Sequence, residues 1–231
     1  INTLLFSYCV SLACNRSVKA FLLAALLFVC SQKIIVIHAM AWSEPLFIAL
    51  SLGGFLLFSR YITGQKPKYL ILASALIGIA VITRYAGLSL LPPIIAAVML
   101  LQKTSIRQRM KSSISFLLIS LTPILIVMAR NKLVAGSSTN RTFSIHAFDM
   151  SRFGDLASTL YDFLLPIHIP DWAKIIHLCI VFVFVIAIVS LNAKYFVPKV
   201  PAGSQVTLMW LNALYALSYI ALLVISISFF D

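Results

Sequence analysis

Glu44 is the only acidic side chain in the first 148 residues of this 231-residue chain, and it sits in Ala41-Trp42-Ser43-Glu44-Pro45-Leu46-Phe47. Arg84 is isolated in the same way, with no other charge between Tyr69 and Gln102. A lone ionisable group among apolar residues is unfavourable unless it faces a polar cavity or a partner. An arginine at a membrane centre costs about 2.5–3.5 kcal/mol on insertion scales, so Arg84 calls for an anionic partner: Glu44 or a ligand phosphate. The planar fork of guanidinium donors matches phosphate geometry. Bland readings stay open beside these. Ser43, Glu44 and Pro45 also suit a helix start, as N-cap, dipole partner and first-turn proline. Arg84 could snorkel to lipid headgroups, and Tyr85 beside it could be an interface anchor or a cavity wall.

Further along, Arg130-Asn131-Lys132 closes an apolar run, and Arg141 follows in Gly136-Ser137-Ser138-Thr139-Asn140-Arg141-Thr142. That cationic, polar surface suits an anionic or hydroxyl-rich ligand, or is simply a charged helix flank. His146 and Asp149 would share one helix face. Asp149, Asp155, Asp162 and Asp171 include candidate general bases, although solvated loop acids are commoner. Asn140-Arg141-Thr142 matches a glycosylation sequon. There is no Gly-rich phosphate loop, GxSxG or HExxH, so a nucleotide-using cytoplasmic site is not expected.

The elements that must position these residues are apolar helices. Hydrophobic residues make up 61% of the chain and charged residues 10%, with mean hydropathy +1.04. A soluble domain is nearer half apolar and a quarter charged, which excludes a soluble enzyme, a nucleic-acid-binding domain and a disordered tail. The apolar runs are continuous rather than alternating, which excludes a closed β-barrel. The expected fold is therefore all-α, a polytopic transmembrane bundle of about seven to eight helices forming one integral membrane domain over 1–231. Spans are expected near 2–13, 20–37, 44–62, 68–83, 87–102, 112–129, 173–193 and 205–230. The 68–102 stretch reads as a hairpin turning at Thr83-Arg84-Tyr85-Ala86-Gly87, with Pro92-Pro93 kinking its second arm and Pro123 kinking 112–129. Residues 160–169 read as an interfacial helix, and Trp172 as an interfacial helix start. Cys9, Cys14, Cys30 and Cys179 lie in apolar segments without CxxC or zinc-ligand spacing, and read as packing residues.

The net charge of +12 sorts by loop. Arg16 and Lys19, then Arg60, Lys66 and Lys68, then Lys103, Arg107, Arg109 and Lys111, then Lys194 and Lys199 form clusters without acids, which the positive-inside rule places in the cytoplasm. Every acid falls on the other side, with Lys33, Arg84, Arg130, Lys132, Arg141, Arg152 and Lys174. One long polar loop, 130–172, is expected there. The chain opens at Ile1 without a signal peptide and reads as part of a longer membrane protein.

The motif order Ala41 to Phe47, then Leu-Ile-Gly-Ile-Ala-Val-Ile-Thr-Arg-Tyr-Ala-Gly-Leu at 76–88, then Arg130-Asn131, Gly136 and Arg141 resembles the membrane-embedded glycosyltransferases of the GT-C superfamily. The similarity covers roughly 18–145 and is greatest to the bacterial branch related to protein O-mannosyltransferases and the aminoarabinose transferase of lipid A. It implies transfer of a sugar from a polyprenyl-phosphate carrier to a glycan, lipid or protein acceptor on the outer side of the plasma membrane, by an inverting displacement. It implies membrane lipid and a lipid-linked donor as partners, no nucleic acid, and no cofactor beyond the donor, with any divalent metal left open. The family's catalytic carboxylate lies in a first outer loop that has no matching position here, so the catalytic residue is unknown and the chain alone is expected to be inactive. The resemblance makes Glu44, Arg84 and Tyr85, with Arg130, Asn131 and Arg141, candidate cavity residues. Arg84 would meet the carrier phosphate, and Glu44 would orient Arg84 or an acceptor hydroxyl. A transporter or flippase, and a non-catalytic subunit of a glycan-assembly complex, are the alternatives; inverted halves in the intact protein would mark the former.

Overall fold

A computed structural model of the chain describes residues 1–138 except 15 and 41, the helical positions 172, 176, 179 and 183, and residues 203–229. Among them there is no strand; the chain is an all-α membrane protein. The helices are α1 (Asn2–Ala13), α2 (Val18–Cys30), α3 (Gln32–Ala39), α4 (Glu44–Gly64), α5 (Pro67–Thr83), a 3-10 segment (Tyr85–Leu90), α6 (Leu91–Leu101), α7 (Ile106–Ala135) and α8 (Ser204–Phe229). Helices α4 and α7 are long and apolar enough to cross a membrane, as is the bent α2–α3 pair if it counts as one span; α1, α5 and the 3-10 segment with α6 are shorter apolar helices, and α8, 26 residues in all, counts among them over Val206–Leu222.

Three expectations about these elements need correction. The span expected at 20–37 breaks at Ser31, where extended backbone bends α2 from α3 by 68°. The polar run Ser31-Gln32-Lys33 interrupts the apolar stretch at that point. Pro92 and Pro93 do not kink the second hairpin arm. They occupy the first turn of α6, where a missing N–H leaves no bond unmade, and a 3-10 segment carries the chain into it. Helix α7 runs on through Pro123 and past Arg130 to Ala135, ending only where Gly136 takes a left-handed φ of 73° and donates its N–H to Lys132 O at 3.1 Å. The first six residues of the expected 130–172 loop are therefore helical. At 30 residues α7 is about 45 Å long, against a hydrocarbon core of about 30 Å, so it has length to project beyond the membrane.

The core is the α4–α5 hairpin packed against α6, α7 and α8 around Phe58, Ile77, Leu90, Ile94, Phe116, Leu208 and Leu211, all fully buried. Small residues let α5 and α7 touch. Ser120 donates its hydroxyl to Ser74 O at 3.2 Å, and a Cβ on Gly78 would sit 2.9 Å from Ser120 O. Among the cysteines only Cys9 is buried; Cys14, Cys30 and Cys179 are exposed, on faces that no described helix covers.

One end of the bundle is tied by a buried polar network. Gln102 donates to Tyr61 Oη at 2.9 Å and to Gln65 Oε1 at 2.8 Å, and Tyr61 Oη lies 2.7 Å from Ser112 Oγ. This joins the α4–α5 turn to the α6–α7 turn, so Arg60, Lys66 and Lys68 share an end with Lys103, Arg107, Arg109 and Lys111. The α1–α2 turn, with Arg16 and Lys19, falls there too, because α1 starts at the opposite end beside α4's first turn.

Candidate functional site

At that opposite end, four helix termini converge: the starts of α1 and α4 and the ends of α3 and α5. The chain leaves α5 at Arg84, whose extended backbone (φ −149°, ψ 134°) breaks the helix. The 3-10 segment then folds back at once, Gly87 N–H donating to Arg84 O at 2.8 Å. This turn needs glycine: a Cβ on Gly87 would lie 2.7 Å from Val81 Cα and 2.8 Å from Val81 N, which are backbone atoms that cannot swing aside. The chain thus reverses within Thr83 to Gly87, as its spacing predicts.

Glu44 opens α4 and Arg84 closes α5, and the two side chains form an ion pair between Glu44 Oε1 and Arg84 Nη1. The arginine side chain is 36% exposed and the glutamate 26%, so the pair is partly desolvated and partly open. Ser43 holds the cap position, but its side chain makes no capping bond. Glu44's carboxylate is committed to Arg84, which a capping role alone does not predict. Pro45 fills the first turn as expected.

Two residues that sequence reasoning passed over brace this end. Asn2 Nδ2 donates to Pro45 O at 2.8 Å and lies 2.8 Å from His38 Nε2. His38 Nδ1 lies 2.8 Å from Ile34 O, an approach only an N–H can satisfy. His38 therefore carries its proton on Nδ1 and accepts from Asn2 at Nε2. The chain Ile34–His38–Asn2–Pro45 locks α3, α1 and the start of α4 together and so positions Glu44. The only signal in the sequence is a lone histidine ending the apolar run Ile34-Ile35-Val36-Ile37.

Helix α8 adds a wall. It packs on α4 and the 3-10 segment, with Tyr215 edge-on to Phe55 at 5.8 Å and tilted to Tyr219 at 5.9 Å between ring centroids. Tyr215 faces Ser89 and lies within electrostatic reach of Arg84.

The remaining candidates fall as follows. Tyr85 follows Arg84 in the turn and is 39% exposed. Arg130 is exposed and Asn131 half-buried on α7; no hydrogen bond or ion pair joins either to Glu44 or Arg84. Helix α7 runs parallel to α5, with Ser120 beside both Ser74 and Gly78, so Arg130 sits between level with Arg84 and about one turn beyond it, at the same end. Arg141, the sequon, His146, the four loop aspartates, residues 160–169 and most of the span expected at 173–193 lie outside the described residues; Trp172 is helical and exposed. Among the described residues no three His, Cys, Asp or Glu side chains come together as metal ligands.

The brace and the turn yield a prediction. Gly87→Ala must push the 3-10 segment off α5 and draw Arg84 away from Glu44, whereas Gly64→Ala meets nothing within 4 Å. In detergent, Gly87→Ala is expected to unfold at a lower temperature than wild type and Gly64→Ala at no lower temperature. Equal melting temperatures in both would show that the turn is not packed as closely as described.

The family model for dolichyl-phosphate-mannose-protein mannosyltransferases matches residues 2–130, more than half of the chain. The match takes in α1 to α6, the Glu44–Arg84 pair and α7 as far as Arg130. No curated protein and no solved structure matches.

Proposed function

The chain belongs to the dolichyl-phosphate-mannose-protein mannosyltransferase family, and on that premise we propose that it takes a sugar from a polyprenyl-phosphate carrier and passes it to an acceptor at the outer face of the membrane, with Arg84 holding the carrier phosphate. The observation that carries the assignment is the Glu44–Arg84 ion pair, half open at one end of an apolar bundle. A guanidinium has five N–H donors. Glu44 engages Nη1, and the remaining donors can reach a phosphate oxygen. When the sugar–phosphate bond breaks, negative charge builds on the departing phosphate, and an arginine already oriented by Glu44 stabilises that charge without reorganising. Glu44, engaged by Arg84, is a positioning residue rather than a free base. Tyr85, Arg130, Asn131 and Arg141 line the approach in this reading, and Tyr215 forms the opposite wall.

The outward orientation rests on charge. Three acid-free basic clusters gather at the end away from Glu44, and basic ends face the cytoplasm. The break at Ser31 is a feature that transporters share, yet family membership favours transfer.

The test uses membranes from cells expressing the intact gene, supplied with radiolabelled polyprenyl-phosphate sugars, mannose first. Label is expected to leave the carrier lipid and appear in an acceptor fraction. Label that stays on the carrier across a broad sugar panel would overturn the assignment.

A further inference from the structure

Helix α7 begins with an uncovered strip. Ile106, Met110 and Ile114 recur every four residues and are each more than half exposed, and with Ser115 they line a groove of about 480 Å³. Arg107 and Lys111, also four apart, stand in its wall. Neither has an ion-pair or hydrogen-bond partner among the described residues, and the only acid there, Glu44, is at the far end of the bundle. Their neighbour Arg109 differs: it is tied down, donating to Met99 O at 2.7 Å and Thr104 O at 3.0 Å. That clamp fixes the α6–α7 turn, while Arg107 and Lys111 stay exposed, lend mainly their apolar stems to the groove wall and keep their charged ends free to reach its rim. Residues 112–129 continue as an apolar span, so the groove lies where hydrocarbon meets water.

We propose that this groove binds an anionic phospholipid of the surrounding bilayer, its phosphate between Arg107 and Lys111 and its acyl chain along Ile106, Met110 and Ile114. Charge complementarity selects the headgroup: two unpaired cations one helical turn apart repel each other until an anion sits between them. The apolar strip selects a lipid over a soluble anion, because an exposed row of this kind is unfavourable in water and favourable against a chain.

The full chain, in bilayer discs of equimolar phosphatidylglycerol and phosphatidylcholine, would be released into native mass spectrometry and its retained lipids counted. Wild type is expected to retain phosphatidylglycerol about 30-fold over phosphatidylcholine, the scale of two cations near a membrane surface. Arg107→Gln with Lys111→Gln should bring the ratio to about one. Arg60→Gln with Lys66→Gln, which removes the same charge from the same end, should leave it unchanged. No preference in wild type, a preference that survives the Arg107/Lys111 variant, or an equal loss in the Arg60/Lys66 variant would overturn the proposal, the last by showing diffuse charge rather than a site. All four side chains are polar and none is buried, so these variants keep the fold.

Discussion

Arg84→Ala is expected to lower sugar transfer about 10- to 100-fold at unchanged protein level, the size of one charge-assisted hydrogen bond missing from the transition state. Stability cannot account for a fall of that size. The Glu44–Arg84 pair is about a third exposed, and pairs so open contribute about 1 kcal/mol or less to folding. The expected signature is therefore a folded protein that binds its donor badly. Arg84→Lys keeps the charge but loses the planar fork, and should recover only part of the activity. Glu44→Gln should cost less than Arg84→Ala, and the double variant should be no worse than Arg84→Ala alone, because Glu44 acts through Arg84. The most discriminating comparison is the swap, Glu44→Arg with Arg84→Glu. It restores an ion pair between α4 and α5 while placing a carboxylate where the phosphate must sit. Thermal unfolding should return towards wild type and transfer should stay abolished. A swap that restores transfer would reduce the pair to a brace, and full activity in Arg84→Ala would remove Arg84 from the site.

The second large effect is structural. Gly78→Val should destabilise the bundle by about 1–3 kcal/mol, the usual penalty for overpacking. Its Cβ would press on Ser120 O at 2.9 Å, Ser120 Cα at 3.2 Å and Pro123 Cγ at 3.2 Å, so most of the resistance comes from α7 backbone. The helices must then separate, and the Ser120–Ser74 bond at 3.2 Å goes with them. Gly53→Ala is the control, since its neighbour at 3.2 Å is Leu76 Cδ1, the tip of a flexible side chain. Alanine favours a helix over glycine by about 0.8–1 kcal/mol, so Gly53→Ala should be neutral to mildly stabilising. Thermal unfolding in detergent reads both. A wild-type melting temperature for Gly78→Val would mean that α5 and α7 do not pack as closely as described.

Glu44 and Arg84 are legible as a pair because each is the lone charge of its segment. In an apolar chain such isolation leaves few ways to be satisfied, so two opposite charges at corresponding helix ends point to each other. The turn at 83–87 is legible for a related reason: residues 68–102 are too many for one span, and the only charge within the apolar run must lie where the chain reverses. Asn2 and His38 carry no such signal. Their role comes from hydrogen bonds across 36 and 43 residues of sequence, which no local pattern encodes. The break at Ser31 is hidden because hydropathy averages over a window, and the strongly apolar residues on both sides keep that average high despite a serine, a glutamine and a lysine. The end of α7 is hidden because charged residues stop only the hydrocarbon, not the helix. The helix continues until Gly136 supplies a left-handed cap.

The sequence alone therefore determined the solvent and the class. Sixty-one per cent apolar residues and ten per cent charged ones cannot be buried in water-soluble form, and backbone groups in lipid must be satisfied within helices. It also grouped the basic loops at 16–19, 60–68 and 103–111 on one side, where the described helices place them, since charge is too unfavourable in hydrocarbon to be placed freely. Tertiary structure decided which termini meet, which glycines are indispensable and which aromatic wall faces Arg84. Those depend on close approach between segments far apart in the chain, and such distances, unlike periodicity and charge, are properties of the packed bundle.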